Sequence, residues 1–184
     1  MAVNWLESYT VFILKHGGVA IHATEGVFGF AGAYWSAEAA GRIATLKGRD
    51  PSTSPFLLIA ASVEQITDIV TFESPLLDEI KTSWPGPITW IFSIKTGAYD
   101  WIGGADGSLA VRVTAHPQAQ LLCRQVGPLI STSANRHGED PILDIDSARR
   151  DFGSDVDVYL PGRLLTPGRP SQIRDARSGD WLRR

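Results

Sequence analysis

The sequence predicts a single α/β domain over residues 1–184, with helices flanking a sheet of mixed parallel and antiparallel strands. Short apolar runs suited to buried strands interleave with segments whose apolar residues recur at helical spacing. Some of these strands are joined through helices and others directly, which favours a mixed sheet. The 184 residues are 43% apolar and contain no linker-like stretch, which is enough material for one well-buried core.

Capping residues and glycines indicate the helix boundaries in the first half of the chain. Four helices are predicted: from Asn4 to Lys15, from Ser36 to Gly48, from Ser62 to Ile69, and onward from Ser74-Pro75. Ser62 and Gln65 form a capping box, in which the Gln65 side chain returns a bond to the cap backbone. Apolar runs predict strands over Val19–Ala23 and Phe56–Ala60. The first strand exits through Thr24–Gly29, whose two glycines allow a close backbone approach.

In the second half, Trp84-Pro85-Gly86-Pro87 ends the fourth helix, and strands become frequent. The predicted strands are Ile88–Ile94, Ser108–Val113, Leu129–Ser133 and Val156–Leu160. Two helices lie between them, one opened by His116-Pro117 and reaching Val126, the other from Asp144 to Phe152. The chain then forms a hairpin from Gln172–Asp175 and Asp180–Arg183, across the turn at residues 177–179.

The strand Leu129–Ser133 leads into a cluster of hydroxyls and a carboxamide. Ser131, Thr132, Ser133 and Asn135 stand together where the apolar run ends. Open α/β sheets bind their ligands at strand ends, and small uncharged donors and acceptors suit phosphate, ribose or an amino acid. They suit a metal ion poorly. The cluster is therefore the first candidate for a ligand site.

Composition excludes several classes of protein. No apolar run approaches the roughly 20 residues that span a bilayer, and the N-terminal apolar segment lacks the basic start of a signal peptide. The single Cys123 cannot form an internal disulfide and favours a reducing cytoplasm. The net charge of −3 argues against a surface coated for nucleic acid. Six arginines against two aspartates from residue 163 onward form either a solvated tail or an anion-binding wall.

Two further positions carry charge in an informative context. Lys47 and Arg49 flank a glycine at a helix C-terminus, where they either favour the helix dipole or, with hydroxyls at residues 52–54, cradle a triphosphate. Arg112 lies within an apolar strand, and a buried arginine needs a partner. That partner is either an internal carboxylate, such as Glu25 or Asp175, or the carboxylate of a ligand.

The sequence lacks the common catalytic motifs. There is no Gly-x-x-x-x-Gly-Lys-Ser/Thr loop, no Gly-x-Gly-x-x-Gly fingerprint and no Gly-x-Ser-x-Gly elbow. The four histidines show no paired ligand spacing and there is no cysteine cluster, so we expect no metal site built from protein side chains. His116 before Pro117 is interpreted as a helix-entry residue rather than a catalytic base.

Six segments together resemble the threonylcarbamoyl-AMP synthase family, the YrdC-like domain. They are Ala23–Gly29 (Ala-Thr-Glu-Gly-Val-Phe-Gly), Lys47-Gly48-Arg49, Trp84–Thr89, Ser108–Val113 with His116-Pro117, Ser131–Asn135, and Pro170–Asp175. Their order and spacing extend over nearly the whole chain, so the resemblance is specific. It implies the fold of that domain, a twisted mixed sheet with a concave ligand cleft, in the short single-domain bacterial form.

The chain departs from the family pattern at three places. Ala23 replaces the usual proline, and Ser54-Pro55 stands where a basic residue followed by Gly or Pro is common. After Asn135 the family usually has x-Ser-Gly, whereas this chain has Arg136-His137-Gly138. One triphosphate contact is therefore expected either to be absent or to come from a hydroxyl of Ser52, Thr53 or Ser54. Arg136 is a candidate to compensate for the missing hydroxyl after Asn135.

The resemblance implies conversion of L-threonine, bicarbonate and ATP, carried with Mg²⁺, into threonylcarbamoyl-AMP and pyrophosphate. The product would feed threonylcarbamoyl modification of a tRNA adenosine through a transferase complex that consumes it, in the cytoplasm and without a membrane. Lys47, Arg49, Ser133 and Asn135 are the expected catalytic residues. Threonine or its carbamate would be held by Thr24, Arg112, Ser131 and Ser171. The nucleotide would be held by Lys47, Arg49, Ser108, Ser133, Asn135, Arg174 and Arg183.

Two other functions remain open. One is a binding module for tRNA, other structured RNA or ribosomal precursors, whose affinity would fall steeply with salt and need no threonine. The other is a different carbamoyl-adenylate-forming enzyme that uses carbamoyl phosphate, although longer relatives with that chemistry carry additional domains. The dependence of pyrophosphate release on threonine separates both from the main hypothesis.

Overall fold

The computed structural model of the protein describes residues 4–48, 56–95, 97 and 101–183. Five α-helices and nine strands occur in this part of the chain. In chain order they are α1 Trp5–Lys15, β1 Ala20–Ala23, β2 Phe28–Ala33, α2 Ala37–Lys47, β3 Leu57–Ala60, α3 Leu77–Ser83, β4 Ile88–Ser93, β5 Ser108–Val113, α4 Pro117–Val126, β6 Leu129–Ser133, α5 Ile145–Phe152, β7 Val158–Leu160, β8 Gln172–Asp175 and β9 Trp181–Arg183. In these residues no helix combines the length and apolar character needed to cross a bilayer.

All nine strands form one sheet, in the order β7-β1-β2-β6-β3-β5-β4-β8-β9. Three neighbouring pairs are parallel, namely β1 with β7, β3 with β5 and β4 with β8, and the other five are antiparallel. The mixed α/β sheet predicted from the sequence is therefore confirmed. Because β6 lies between β2 and β3 near the middle of the sheet, the hydroxyl run at its end is surrounded by other strands.

The two faces of the sheet are covered unequally. One face, which we call the core face, carries Leu58, Trp90, Val111 and Ile130 in a large apolar cluster with buried residues of α2, α3 and α5. The opposite face, the cleft face, carries Ala20, Ala31, Ile59, Leu129, Val158 and Leu160 in a smaller cluster with α1 and α4. Strand residues that share this face beyond the reach of α1 and α4 remain available to a ligand.

Most predicted boundaries agree with the structure to within two residues, since they depend on local caps. Asn4 and Glu7 form a capping box on α1, and the Ser36 Oγ accepts a bond from the Ala39 N–H at the start of α2. Gly48 ends α2 with a left-handed backbone, φ 63°. The His116 Nδ1 accepts from the Ala119 N–H, which confirms this residue as the cap of α4.

The structure differs from the sequence-based predictions at three places. The capping box at Ser62 starts no helix, because the Gln65 side chain instead accepts from the Ala61 N–H and donates to the Cys123 carbonyl, 2.8 and 2.7 Å away, and the segment to Val70 consists of turns. The helix expected to open at Ser74-Pro75 begins two residues later, at Leu77, although the Ser74 Oγ accepts from the Leu76 N–H as a capping serine does. The strand β2 was not predicted, since four of its six residues are glycine or alanine, which have low strand propensity.

Candidate active site

A cavity of about 490 Å³ opens on the cleft face, beside the part that α1 and α4 cover. Strands β2, β3, β4, β5, β6, β8 and β9 each contribute to its wall, together with the turn after β1 and the segment before β8. The lining residues are Thr24, Gly26, Val27, Gly29, Leu57, Ile91, Ala110, Arg112, Ser131, Thr132, Ser133, Pro141, Arg169, Pro170, Ser171, Ile173 and Arg183. Guanidinium and hydroxyl groups thus face an apolar floor.

Strand pairing places the hydroxyls of β6 at the centre of this wall. Ser131 is paired with Leu57 of β3 and with Ala31 of β2, and Ser133 is paired with Gly29. Paired residues in a sheet project from the same face, so Ser131 and Ser133 share the cleft face while Ile130 enters the core. Gly29 has no side chain beside Ser133, which leaves the hydroxyl accessible from that side.

The turn after β1 is packed against the segment that precedes β8. The Thr166 N–H donates to the Glu25 carbonyl at 2.7 Å, and the Gly168 N–H donates to the Gly26 carbonyl at 2.9 Å. A Cβ atom at Gly26 would lie 1.8 Å from the Arg169 carbonyl oxygen, so only glycine fits. The predicted close backbone approach is confirmed at this residue, and it brings Arg169 and Pro170 to the rim of the cavity.

Arg112 lies in the cavity wall and is also paired with an internal carboxylate. Its Nη2 lies 3.1 Å from the Glu25 Oε2, and both side chains are buried. The structure therefore contains the ion pair to Glu25 that the sequence left as one of two alternatives. Asp175, the other carboxylate considered, instead accepts bonds from the Arg177 and Ser178 N–H groups.

The Glu25 carboxylate is ionised despite its burial. Burial alone would raise the pKa of Glu25, but Arg112 and hydrogen bonds from Thr114 and Ala115 outweigh it and hold the pKa below its usual value. Burial lowers the pKa of Arg112, and Glu25 opposes that change. The pair is therefore charged on both sides at neutral pH.

Lys47 joins the end of α2 to the end of β6. Its Nζ donates to the backbone carbonyls of Ser133 and Asn135, at 2.7 and 2.9 Å, and lies 3.5 Å from the Ser133 Oγ. Lys47 is only 4% exposed, and its carbonyl accepts from the His137 N–H. The Asn135 Nδ2 donates to the carbonyls of Arg136 and Glu139, which fixes the loop after β6. The sequence-predicted Lys47, Ser133 and Asn135 are thus brought together.

The far wall of the cavity is a hydrogen-bonded group of residues on β4, on β9 and immediately before β8. The Arg183 guanidinium donates to the Ser171 carbonyl at 2.6 and 2.9 Å and to its Oγ at 3.2 Å. The Thr89 Oγ1 lies 3.1 Å from the same Oγ. Partial burial and repulsion from Arg112 lower the pKa of Arg183. The two cations therefore lie near each other in the cavity wall. Thr24 contributes on the opposite side, where its Oγ1 donates to the Val27 carbonyl at 2.7 Å.

The structure does not bring every predicted residue to this cavity. Arg174 is paired in register with Trp90 and lies on the core face, 4.7 Å from the Trp90 ring and 4.6 Å from the Trp181 ring, with an ion pair to Glu79. Ser108 lines a second cavity, of about 500 Å³, which shares Ile91 with the first.

Two other expectations concern loop residues, and only the one about Arg136 falls within the described part of the chain. Arg136, expected to compensate for a missing hydroxyl, is exposed, and its guanidinium lies 5.5 Å from the Phe152 ring. Arg49 and the hydroxyls at residues 52–54 lie outside the described residues.

Sequence reasoning missed the contribution of Arg169 and of the apolar floor. Arg169 was noted only as one charge of a basic segment, and its approach to Gly26 depends on tertiary packing. Leu57, Ala110, Ile91 and Ile173 were assigned to strands without a face. Side chains alternate between the two faces of a strand, so these four residues could have been assigned to one face once the strand pairing was known.

The chemistry available in the cavity is that of anion binding and orientation. Arg112, Arg169 and Arg183 supply cationic donors, while the lining residues within the described chain include no carboxylate. No grouping of three or more metal-ligating side chains occurs in residues 4–48, 56–95, 97 and 101–183. Such a site can hold a carboxylate and phosphates next to one another, and it stabilises negative charge without a protein nucleophile.

Comparison with known proteins adds sequence relatives over nearly the full chain. The family model Sua5/YciO/YrdC, described as "Telomere recombination", matches residues 12–184. A threonylcarbamoyl-AMP synthase of Halorhodospira halophila is 42% identical over 173 residues, which are 93% of this chain and 90% of the relative. One of Nitrosococcus oceani is 41% identical over 182 residues, 98% of each chain.

Solved structures share the same architecture. The structure of P. abyssi Sua5 complexed with L-threonine superposes with a TM-score of 0.85 and 26% identity, covering 93% of this chain. This chain spans about half of that one, 51%. E. coli YciO shows the fold alone, with a TM-score of 0.82 and 18% identity over 97% of this chain and 90% of YciO. From the family match over residues 12–184 and from relatives of about 40% identity, the chain belongs to the Sua5/YciO/YrdC family.

Proposed function

We propose that this protein is an L-threonylcarbamoyladenylate synthase, a nucleotidyltransferase that forms threonylcarbamoyl-AMP and pyrophosphate from L-threonine, bicarbonate and ATP. The observation that carries the proposal is the convergence of Arg112 and the Ser131–Ser133 hydroxyls on one cavity, with Lys47 bonded to the end of the same strand. Relatives at 41–42% identity bear the name of this enzyme, and a structural relative is complexed with L-threonine.

In this proposal Arg112 binds the threonine carboxylate. Its buried position favours a charge-assisted bond, and an arginine can receive a carboxylate on more than one edge. Thr24, Ser131 and Ser171 surround the same space with hydroxyls that suit the threonine hydroxyl or the carbamate. The apolar floor formed by Leu57, Ala110 and Ile173 is available to the threonine methyl group.

The nucleotide would lie toward the end of β6 and the rim. Lys47, Ser133 and Asn135 form one hydrogen-bonded unit there, and Arg49 follows Lys47 after a glycine. Arg183, with Arg169 beside it, supplies further positive charge for phosphates. Arg174 is not assigned to the nucleotide in this proposal, because it lies on the opposite face.

The reaction is balanced without a covalent enzyme intermediate. The threonine amine forms a C–N bond with the carbon of bicarbonate, and water leaves as the carbamate forms. A carbamate oxygen then bonds to the α-phosphorus of ATP while the bond to the bridging oxygen breaks, releasing pyrophosphate. Such a transfer depends on positioning and on stabilisation of phosphate charge, which hydroxyls and cations provide.

Mg²⁺ fits this cavity only as a companion of the nucleotide. Among the described lining residues there is no carboxylate to ligate it, and Glu25 is occupied by Arg112, Thr114 and Ala115. When bound, the ion would neutralise phosphate charge. The protein's own part is to hold the reactants through hydroxyls and guanidinium groups.

The wider context is part of the same proposal. The product would be consumed by a transferase complex that modifies a tRNA adenosine, and the activity would reside in the cytoplasm. The single cysteine is consistent with a reducing compartment, and Cys123 is a buried free thiol whose pKa is raised by burial.

The decisive experiment measures pyrophosphate release from ATP while threonine and bicarbonate are omitted in turn. The proposal expects release only when both are present. Release that is unaffected by threonine would exclude this function and favour a different adenylate-forming activity. Binding of structured RNA without any pyrophosphate release would favour the binding-module alternative.

A further inference from the structure

Glu25 is held unusually firmly for a residue outside the cavity lining. Its Oε1 accepts from the Thr114 Oγ1 at 2.7 Å and from the Ala115 N–H at 3.0 Å, both just beyond β5. Its carbonyl accepts from the Thr166 N–H at 2.7 Å. Glu25 is only 6% exposed, so these bonds are formed away from bulk water. The carboxylate therefore has a defined position before any ligand binds.

The other carboxylate oxygen of Glu25 meets Arg112 from one side only. The Oε2 lies 3.1 Å from Nη2 as an ion pair, and both this oxygen and the Arg112 Nε are buried without a hydrogen-bond partner among the described residues. Buried polar atoms are rarely left without a partner, and the exceptions call for an explanation. Arg112 also lines the cavity, so the part of the guanidinium beyond the buried Nε is the part that a ligand carboxylate can reach.

No other charged group in the described chain competes for Arg112. Its one ion pair there is with Glu25. His22 lies close enough to interact electrostatically, but burial, and next the charge of His116, lower its pKa to about 4, so it is neutral at neutral pH. The orientation of Arg112 thus depends on the anchored carboxylate.

We propose that Glu25 is a positioning residue for substrate binding: anchored on Thr114 and Ala115, it holds the Arg112 guanidinium through an ion pair so that its cavity-lining part is presented to the threonine carboxylate. The inference rests on the proposed function, because it assigns that carboxylate as the ligand. Glu25 itself need not touch the substrate. Its effect reaches the substrate through Arg112.

The first test observes Arg112 directly and needs no activity. The Arg112 Nε–H signal is identified in ¹H–¹⁵N spectra by its loss in Arg112→Lys, and its exchange with water is measured. Glu25→Gln keeps the size and the acceptor for Thr114 but removes the charge, and we expect exchange to accelerate about tenfold. Thr114→Val, which removes one anchor, should give a smaller acceleration. Unchanged exchange in Glu25→Gln overturns the inference.

The second test separates threonine from ATP. In Glu25→Gln the KM for threonine should rise about tenfold, while the KM for ATP changes less than about twofold. In the Arg112→Lys background the same substitution should add little, since Glu25 acts through the guanidinium. Equal changes in both KM values, or the full Glu25→Gln effect in the Arg112→Lys background, contradict the inference.

The two proposals fail in different ways. Wild-type protein without threonine-dependent pyrophosphate release refutes the proposed function, and the exchange measurement then decides alone whether Glu25 positions Arg112. If Glu25→Gln does not fold, as judged by circular dichroism, Glu25→Asp replaces it. This variant keeps the negative charge, but its side chain is one methylene shorter, so the carboxylate lies farther from Arg112. The exchange rate of the Arg112 Nε–H and the KM for threonine should both still rise. No rise in either quantity rejects the role of Glu25.

Discussion

Arg112 and Arg174 lie in the same sheet, both within strands and both paired with a glutamate, yet they face opposite sides. Arg112 on β5 lies on the cleft face, paired with the buried Glu25, and lines the cavity. Arg174 on β8 lies on the core face, near the rings of Trp90 and Trp181 and paired with the half-exposed Glu79. The same type of side chain therefore lines the cavity in one place and packs against aromatic rings in the other.

The difference arises from the parity of each residue along its strand. On β8, Ile173 lines the cavity, so Arg174, one residue later, must project from the other face. On β5, Ala110 and Arg112 are two residues apart and share the cleft face. The residue type shows that an arginine within a strand needs a partner. Strand pairing determines whether that arginine faces the cavity or the core.

The largest effect is expected for Arg112→Ala, because it removes the guanidinium from the cleft face. The KM for threonine should rise about 100-fold, since truncating one partner of a buried charged pair costs about 2–5 kcal/mol. The KM for ATP should change less than about threefold. Steady-state pyrophosphate release with each substrate varied measures both. Equal effects on the two substrates would remove Arg112 from the threonine site.

Lys47→Met tests the other end of the same wall. The loss of its ammonium leaves the Ser133 and Asn135 carbonyls without a buried donor, so we expect kcat for pyrophosphate release to fall about 30-fold. The free energy of unfolding should fall by about 2 kcal/mol. Lys15→Met, at the exposed end of α1, is the control and should change neither. Full activity in Lys47→Met would separate this lysine from catalysis.

His22 should make the stability of the fold depend on pH. It lies buried on the cleft side, and both of its ring nitrogens lack a hydrogen-bond partner among the described residues. Burial first, and then His116, lower its pKa to about 4, from 6.5. The unfolded chain therefore binds a proton that the folded chain does not between these values. The stabilising contribution is complete above pH 6.5 and is lost as the pH falls toward 4.

The corresponding measurement is urea unfolding of wild type and His22→Gln between pH 7 and pH 5. As the pH falls from 7 to 5, the free energy of unfolding of wild type should decrease by about 2 kcal/mol more than that of the variant. His137→Gln, at an exposed position, should behave as wild type. Parallel stability curves for wild type and His22→Gln would show that His22 is not held neutral by the fold.

Among these substitutions, Arg174→Ala should have the smallest effect on activity and stability. Loss of two aromatic contacts and a half-exposed ion pair should lower the free energy of unfolding by about 1–2 kcal/mol. Both KM values should stay within about twofold of wild type, because the side chain lies away from the cavity. Thermal unfolding and the same pyrophosphate assay measure these quantities. A selective rise in the KM for ATP would restore Arg174 to the nucleotide site.

Some of the site could be predicted from local sequence, and some could not. The strand Leu129–Ser133 was predicted at its observed bounds, and its two serines at alternate positions share one face. Gly26 was identified as a place of close approach, which the contact with Arg169 confirms. The role of Gln65 was misread, because its side chain accepts from the nearby Ala61 N–H and donates to the Cys123 carbonyl, a tertiary bond that local sequence does not reveal.

The sequence by itself determined the α/β class, most element boundaries and the residue types of an anion-binding site. These depend on apolar periodicity, caps and turn residues, whose physical causes act within a few positions. Tertiary structure decided that Arg112 pairs with Glu25, that Arg174 faces the core, and that Arg169 reaches the rim. The reason is that a strand's sequence specifies two faces, but only its neighbours determine which face enters the larger core and which face borders the cavity.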